Sequence, residues 1–221
     1  MFADRNVLLF DLDGTLIDSG EDLTASVNHT LAQDGHPALR RNQVLEILGD
    51  GAPVMVERAY GIYDAAMPSD ALARYRAHYR QHCLDGTRPY PGIPELLRRL
   101  ATDRVIAVAT NKPTAFAEQV VEGLGLGRFV HAIVGPERAG CRKPDADFLR
   151  QTLALVGRVP EEAVMVGDSP TDIEAGHRTG TATIAVLWGY RNQQQLAASE
   201  PDQVAATVAS LEALLLNRPH S

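Results

Sequence analysis

Residues 7–15 read VLLFDLDGT, and this stretch decides the fold. Its first four residues, Val7–Phe10, form an unbroken apolar run, which is typical of a strand buried on both faces of a parallel sheet. The run ends abruptly at Asp11, and Asp13 follows two residues later. In open parallel sheets, ligands bind beyond the carboxyl ends of the strands. We therefore expect Asp11 and Asp13 to face a binding site.

Four similar apolar runs follow later in the chain, and helix-like segments separate them. The predicted strands cover residues 105–109, 132–134, 163–166 and 183–187. The predicted helices cover residues 94–102, 114–124, 145–156 and 171–178. Strands that alternate with helices of this length indicate βαβ units with right-handed crossovers. The predicted fold class is therefore α/β, with a Rossmann-like parallel-sheet core flanked by helices.

The stretch between the first strand and the others breaks this alternation and reads as consecutive helices. In it Leu23, Val27 and Leu31 recur at helical spacing and share one face. Turn-forming residues cluster at both of its edges. We predict a small helical cap inserted after the first strand, over residues 19–86, and a catalytic core made of residues 1–18 and 87–221. The alternative is that these helices pack on the sheet as part of one domain.

Composition excludes several classes of protein. The 221 residues are 45% hydrophobic and 22% charged, as in ordinary globular proteins. The net charge of −7, with no basic block, predicts no nucleic-acid partner. No apolar run is long enough to span a bilayer and no secretory leader is recognisable, so we expect no membrane association and a cytoplasmic location. Two cysteines are too few for a disulfide framework. A monomer and a homodimer both stay open.

Polar side chains follow several of the predicted strands. Thr110 and Asn111 follow the second strand, Asp168 and Asp172 follow the fourth, and Lys143 lies in the loop shortly before the fourth. Carboxylates that converge at one sheet edge repel one another unless a cation sits among them, and oxygen ligands suit Mg²⁺. The sequence therefore predicts a magnesium site with four candidate ligands: Asp11, Asp13, Asp168 and Asp172.

This set of groups fits phosphoryl transfer, in which the protein mostly positions and neutralises the reacting phosphate. Asp11 is the candidate nucleophile, because a carboxylate can attack phosphorus and form a covalent intermediate. Asp13 can protonate the leaving oxygen and later activate water. Lys143 would neutralise phosphate charge, and Thr110 would donate a hydrogen bond to the transferring group. For Asp172 the alternative role is to cap the helix that follows.

Together these motifs resemble the four ordered motifs of the haloacid dehalogenase superfamily. The matching stretches are DLDGTL at 11–16, TNKP at 110–113, KP at 143–144 and GDSPTD at 167–172. Within that superfamily the chain is similar to bacterial phosphoglycolate phosphatases, through GDGA at 49–52, VERA at 56–59 and WGY at 188–190. The resemblance covers nearly the whole chain.

The resemblance implies a role for individual residues. It makes Asp11 the nucleophile and a metal ligand, Asp13 the acid and base that also binds the metal through its carbonyl, and Asp168 a further metal ligand. It also implies phosphate contacts from three residues: Thr110, Asn111 and Lys143. Lys112 has weaker support, because it lies beyond the motif threonine. We further predict that Arg58 of the cap contacts a second anionic group of the substrate; the alternative is an exposed helical arginine.

The sequence discriminates among the reactions that such a site supports. A dehalogenase has no use for the acid at Asp13, and a phosphonatase needs a cap lysine, which residues 19–86 lack. The function we predict is Mg²⁺-dependent hydrolysis of a small phosphorylated metabolite through a phosphoaspartyl intermediate, with 2-phosphoglycolate favoured. Another sugar phosphate, a nucleotide, pyrophosphate and a sugar phosphomutase reaction stay open. The non-enzymatic alternative, a receiver-like phospho-aspartate module, would need neither Asp13 nor a cap.

Overall fold

The computed structural model describes residues 2–216, and its centre is a six-stranded parallel sheet in the order β5-β4-β1-β6-β7-β8. A separate antiparallel ribbon is formed by β2 and β3. In chain order the strands are β1 (Val7–Phe10), β2 (Ile17–Asp18), β3 (Arg88–Pro89), β4 (Val105–Ala109), β5 (Ala132–Val134), β6 (Ala163–Gly167), β7 (Ala182–Val186) and β8 (Gln203–Ala205).

Eleven α-helices lie within the described residues. They are α1 (Gly20–Ala32), α2 (Arg41–Ile47), α3 (Ala52–Gly61), α4 (Ala71–His82), α5 (Ile93–Leu100), α6 (Thr114–Gly123), α7 (Pro136–Ala139), α8 (Ala146–Leu155), α9 (Pro170–Thr179), α10 (Gln193–Ala197) and α11 (Val208–Leu216). In residues 2–216 no helix combines the length and the apolar character needed to cross a membrane. All five predicted strands and all four helices predicted between them are present, which confirms the α/β fold class.

The core is built on both faces of β1, which pairs in parallel with β4 on one side and β6 on the other. Successive side chains of a strand point to opposite faces. Leu8 and Phe10 therefore belong to one apolar cluster, which includes residues of α5, α6 and α11. Val7 and Leu9 belong to another, which includes Phe148 of α8. Burial on both faces explains why β1 is apolar at every position.

The strand order places the carboxyl end of β1 at a reversal in the sheet. From β1 the chain continues through five helices, α1 to α5, to β4 on one side, and it reaches β6 on the other side only later. The connections that leave neighbouring strands at such a point diverge and open a crevice. The residues directly after β1, β4 and β6 therefore meet at one place.

Helices α1 to α4 occupy the segment for which the sequence predicts a cap. The ribbon of β2 and β3 frames this segment, with Ile17 opposite Pro89 and Asp18 opposite Arg88. The predicted apolar face of α1 is buried, as expected from its helical spacing. The division into a cap over residues 19–86 and a separate core stays a prediction.

Candidate active site

Three carboxylates meet at the carboxyl edge of the sheet. Asp11 directly follows β1, Asp168 follows β6, and Asp172 lies in the first turn of α9. Each offers an oxygen within 4.8 Å of the others, and all three side chains are buried. Because β1 and β6 are adjacent parallel strands, their carboxyl ends emerge side by side. The tertiary structure thus brings together residues that lie about 160 positions apart in the chain.

Lys143 places its ammonium between two of these carboxylates. Its Nζ donates to Asp11 Oδ1 at 2.7 Å, to Asp172 Oδ1 at 2.6 Å and to the carbonyl oxygen of Ala109 at 2.6 Å. These three bonds satisfy all three N–H groups of a side chain that is 2% exposed. Burial opposes the charged form, but Asp11 and Asp172 outweigh it, so the pKa of Lys143 is raised. Lys143 is therefore a permanent cation of the site.

One ammonium does not balance three carboxylates. Burial raises the pKa of Asp11 from 3.8 to about 6, although Lys143 lowers it. Burial, followed by the negative charges of Asp11 and Asp172, raises the pKa of Asp168 to about 8. A site that disfavours its own ionised form in this way has room for a further positive charge. Since the donors are all oxygens, the residues present fit a hard divalent cation.

Two glycines let the backbone pack against these carboxylates. Gly14 has φ +90°, and a Cβ there would lie 2.3 Å from Asp168 Oδ2. A Cβ on Gly167 would lie 2.2 Å from Asp172 Oδ2. Both distances are far inside van der Waals contact. The glycines of the DLDGT and GDSPTD stretches are therefore required by close approach to the acids.

The side chain of Asp13 has its own partners. Its two carboxylate oxygens each accept a hydrogen bond from Lys112 Nζ at 2.9 Å, and Oδ1 also accepts one from Ser19 Oγ at 2.6 Å. The Lys112 ammonium in turn lies 4.6 Å from the ring centroid of Tyr79. Lys112 is thus closer to the chemistry than its place beyond the motif threonine suggests. The composition carries a signal for this role, because Lys112 and Lys143 are the only lysines of the chain, and both are buried against acids of this site.

Thr110 and Asn111 both lie at the carboxyl end of β4 and line the same pocket. Thr110 Oγ1 accepts a hydrogen bond from the backbone N–H of Lys112 at 3.2 Å. Asn111 binds the backbone of Lys143 at both ends, because its Oδ1 accepts from the N–H at 2.9 Å and its Nδ2 donates to the carbonyl at 3.0 Å. The amide also donates to the carbonyl of Gly49, in the predicted cap. The Asn111 side chain thus positions the loop that carries Lys143.

The structure does not bring Arg58 to this site. Its guanidinium forms an ion pair with Asp50 at 2.6 Å and is about half exposed. Among the residues that the structure describes, it does not line the pocket over the carboxylates. A substrate contact by Arg58 would require it to leave Asp50.

A pocket lies over the acids, with about 640 Å³ of empty space that is partly open to solvent. Its floor contains the carboxylates and Lys143, and residues of α1, α3 and α4 close the opposite side. The wall from these helices is largely apolar and aromatic: Leu23, Ala52, Met55, Tyr75 and Tyr79. The Tyr79 hydroxyl is buried and has no hydrogen-bond partner among the described residues. Charged groups at one end and an apolar wall at the other suit a small, polar-headed ligand.

Comparison with known proteins decides the family. The family model of the haloacid dehalogenase-like hydrolases matches residues 8–186, which is most of the chain. This chain belongs to the haloacid dehalogenase-like hydrolase family. The match confirms the resemblance drawn from the four motifs, and it spans the sheet from β1 to β7 together with helices α1 to α4.

Named relatives of this haloacid dehalogenase-like hydrolase include phosphatases. A phosphoglycolate phosphatase of Agrobacterium fabrum is 36% identical over 215 residues, covering 95% of this chain and 92% of the relative. An N-acetylmuramic acid 6-phosphate phosphatase of Pseudomonas aeruginosa is 35% identical over 185 residues, covering 83% and 82%. The solved structure of a predicted phosphoglycolate phosphatase from Haemophilus somnus 129PT superposes with a TM-score of 0.88 at 28% identity, covering 94% of this chain and 96% of that one.

Proposed function

We propose that this hydrolase is a Mg²⁺-dependent phosphomonoesterase that acts on a small phosphorylated metabolite, with 2-phosphoglycolate as the first candidate. The observation that carries the proposal is the pairing of Asp11 with the buried ammonium of Lys143, beside the carboxylate of Asp168. That arrangement supplies a nucleophile, a phosphate-binding cation and a metal ligand within one pocket. The phosphatase names of the relatives, at about a third identity over nearly the whole chain, support the same reaction.

The metal would be held by the carboxylates of Asp11 and Asp168 and by the backbone carbonyl of Asp13. A bound Mg²⁺ would neutralise charge on the phosphate oxygens. Asp172 has less to offer the ion, because its Oδ1 accepts from Lys143, and its Oδ2 accepts from Ser169 N and Oγ at 3.0 and 2.8 Å. We assign Asp172 to hold Lys143 and to cap α9, rather than to bind the metal directly.

The first step would transfer the phosphoryl group to Asp11. The hydrogen bond from Lys143 engages Oδ1, which leaves Oδ2 to attack phosphorus as the bond to the leaving oxygen breaks. Asp13 would give its proton to that oxygen, which departs as an alcohol. Lys143, whose three N–H groups already have partners, would stabilise the charge that develops on the phosphoryl oxygens through its positive charge, and the Thr110 hydroxyl would donate a hydrogen bond to one of them.

The second step would release phosphate. Asp13, now ionised, would take a proton from water as the water oxygen attacks phosphorus. The bond between phosphorus and Asp11 breaks, and the carboxylate is restored. The contacts of Asp13 with Lys112 and Ser19 hold its side chain in the orientation that both steps need.

A sugar phosphate is the second candidate substrate. The Pseudomonas aeruginosa relative, which its name assigns to N-acetylmuramic acid 6-phosphate, matches this chain at an identity close to that of the phosphoglycolate phosphatases. The apolar wall formed by Met55 and the two tyrosines would accept a sugar ring. Turnover kinetics distinguishes the two substrate classes.

The test is steady-state turnover with Mg²⁺ on a panel of phosphoglycolate, sugar phosphates, nucleotides and pyrophosphate, ranked by kcat/KM. We expect many turnovers per enzyme, and trapping by rapid acid quench should place the phosphoryl group on Asp11 by mass spectrometry. Asp11→Asn should abolish both signals, whereas Asp147→Asn, on an exposed acid of α8, should change neither. A single labelling of Asp11 without release of phosphate would refute a hydrolase and support a receiver-like module.

A further inference from the structure

A four-residue segment after β7, residues 188–191, contacts separate parts of the molecule; we call it the bridging segment. It contains the WGY stretch, to which the reaction proposed above gives no part, and Arg191. Its side chains and backbone reach the loop after β1, the carboxylate cluster, the ribbon and helix α2. A segment this short transmits displacement because it has few torsions in which to absorb one.

On the side of the sheet, the bridging segment holds a metal-ligand candidate in place. The backbone N–H of Tyr190 donates to Asp168 Oδ2 at 2.7 Å, and the Trp188 indole N–H donates to the carbonyl of Thr15 at 3.0 Å. Gly189 packs so closely that a Cβ there would lie 2.3 Å from the Asp168 Cβ. The orientation of the Asp168 carboxylate therefore depends on where this backbone lies.

On the side of the helices, the same segment holds the predicted cap. The Tyr190 hydroxyl accepts a hydrogen bond from Ser19 N at 2.8 Å and donates one to Asp18 Oδ1 at 3.1 Å, at the junction between β2 and α1. The guanidinium of Arg191 donates to two backbone carbonyls of the helix α2 region, those of Leu45 and Leu48. These donors hold the end of α2 over the pocket.

We propose that the bridging segment couples the position of helices α1 to α4 to the orientation of Asp168, with Tyr190 and Arg191 as positioning residues. If the helices moved away from the sheet, they would pull on the hydroxyl of Tyr190 and on Arg191. The backbone N–H of Tyr190 would move with them and leave Asp168. The proposal rests on the proposed function, because it takes Asp168 to be a ligand of Mg²⁺.

Coupling of this kind is reciprocal, so an interaction on the helical side must change the affinity on the metal side. The substitution Tyr190→Phe removes only the hydroxyl and keeps the N–H that binds Asp168. Arg191→Gln removes the contacts to α2 and touches no metal-ligand candidate. Neither variant removes an atom that contacts the acids of the metal site, but the positive charge of Arg191 also acts directly on Asp168. Arg191→Lys keeps that charge, so the loss of affinity that Arg191→Lys does not recover is the part transmitted through the segment.

The experiment measures Mg²⁺ affinity of the full chain by calorimetry, with tryptophan fluorescence as a second readout, since Trp188 is the only tryptophan. We expect Tyr190→Phe and Arg191→Gln to raise the Kd for Mg²⁺ by about 5- to 150-fold, the range of typical coupling free energies. The double variant should bind Mg²⁺ only slightly more weakly than the weaker-binding single variant, because both substitutions interrupt the same coupling. Arg191→Lys, which keeps the charge and some donors, should recover part of the affinity.

Two controls match these changes. Arg142→Gln removes an arginine that lies outside the bridging segment and that donates a hydrogen bond to the carbonyl of Asp50, in the loop after α2. Tyr63→Phe removes a hydroxyl that donates to the carbonyl of Pro37 at 2.8 Å. Both should bind Mg²⁺ as the parent does, and circular dichroism should show all variants folded.

The possible results distinguish a failure of the proposed coupling from a failure of the proposed function. If the parent binds Mg²⁺ and both Tyr190→Phe and Arg191→Gln bind it equally well, the coupling is wrong and the phosphatase assignment is untouched. The coupling is also wrong if Arg142→Gln weakens binding as much as Arg191→Gln does. If the parent neither binds Mg²⁺ nor hydrolyses any phosphomonoester, the proposed function fails, and the coupling fails with it.

Discussion

Replacing Lys143 by methionine is the sharpest test of the charge balance at the acids. Methionine has a similar length and no charge, so the change removes the ammonium and its three hydrogen bonds with little change in packing. Two carboxylates, Asp11 and Asp172, then face each other in a buried site without a cation. In the metal-free protein nothing among the described residues replaces that charge.

The expected loss of folding stability follows from the burial of the ion pair between Lys143 and Asp11. Removing one partner of a buried ion pair costs about 3–5 kcal/mol, because the remaining charge is left uncompensated. Domains of this kind unfold with a total of about 5–15 kcal/mol, so Lys143→Met should remove a large part of the stability. Because Lys143 lowers the Asp11 pKa, Asp11 of the variant takes up a proton at a higher pH than in the parent. The loss should therefore shrink as the pH falls toward the parent's Asp11 pKa of about 6, since protonated carboxyls no longer need a cation.

The assay is urea unfolding at pH 7.5 in EDTA, repeated at pH 5 and with saturating Mg²⁺. We expect Lys143→Met to have a lower urea midpoint than the parent and an unchanged m-value. Both the lower pH and saturating Mg²⁺ should recover part of the lost stability. Lys112→Met is the matched control, because Lys112 pairs with one carboxylate, that of Asp13, whereas Lys143 pairs with two; its loss should be smaller. A loss below about 1 kcal/mol for Lys143→Met, the size of an exposed ion pair, would refute the reasoning.

Three further predictions concern the same site. Asp13→Asn should collapse kcat while calorimetry shows Mg²⁺ still bound, because the proposed metal contact there is a backbone carbonyl; loss of both would contradict the assigned role. Arg58→Ala should leave KM for phosphoglycolate unchanged, since Arg58 lies outside the pocket lining, and a raised KM would show that it moves to the substrate. In EDTA, the urea midpoint of the parent should fall as the pH rises from 3.8 to about 8. Over this range Asp11 and Asp168 hold protons in the folded state, whereas the unfolded chain has released them. A midpoint that rises over this range would contradict the prediction.

The sheet could be predicted because its strands are buried on both faces. Such strands are apolar at every position, and the pattern is visible without any tertiary information. Three strands were not predicted. β2 and β3 have two residues each, and β8 is an edge strand of three residues that begins with an exposed glutamine, so none carries a buried apolar run. Strands of this kind are defined by their partners and not by their own composition.

The sequence predicted the location of the site better than it predicted the contacts of the residues around it. Strand order brings Asp11 beside Asp168, and the sequence indicated both. Asn111 was expected at the phosphate, and this contact stays a prediction; the structure adds that its side chain, at the pocket, fastens the loop of Lys143. Nothing in the sequence shows that Arg58 pairs with Asp50 on the outside of the helices. A helical arginine has the same local pattern whether it points into a pocket or to solvent.

The sequence by itself determined the α/β fold, the family and the acid at the end of the first strand, because each depends on residues that are close together in the chain or on their order. Tertiary structure alone decided which groups surround that acid. Three sets of contacts join residues from 22 to 172 positions apart: Lys112 on Asp13, Asn111 on the Lys143 loop, and the bridging segment between Asp168 and the helices. Long side chains on converging loops have many possible partners, and only the packing of the helices over the sheet selects among them.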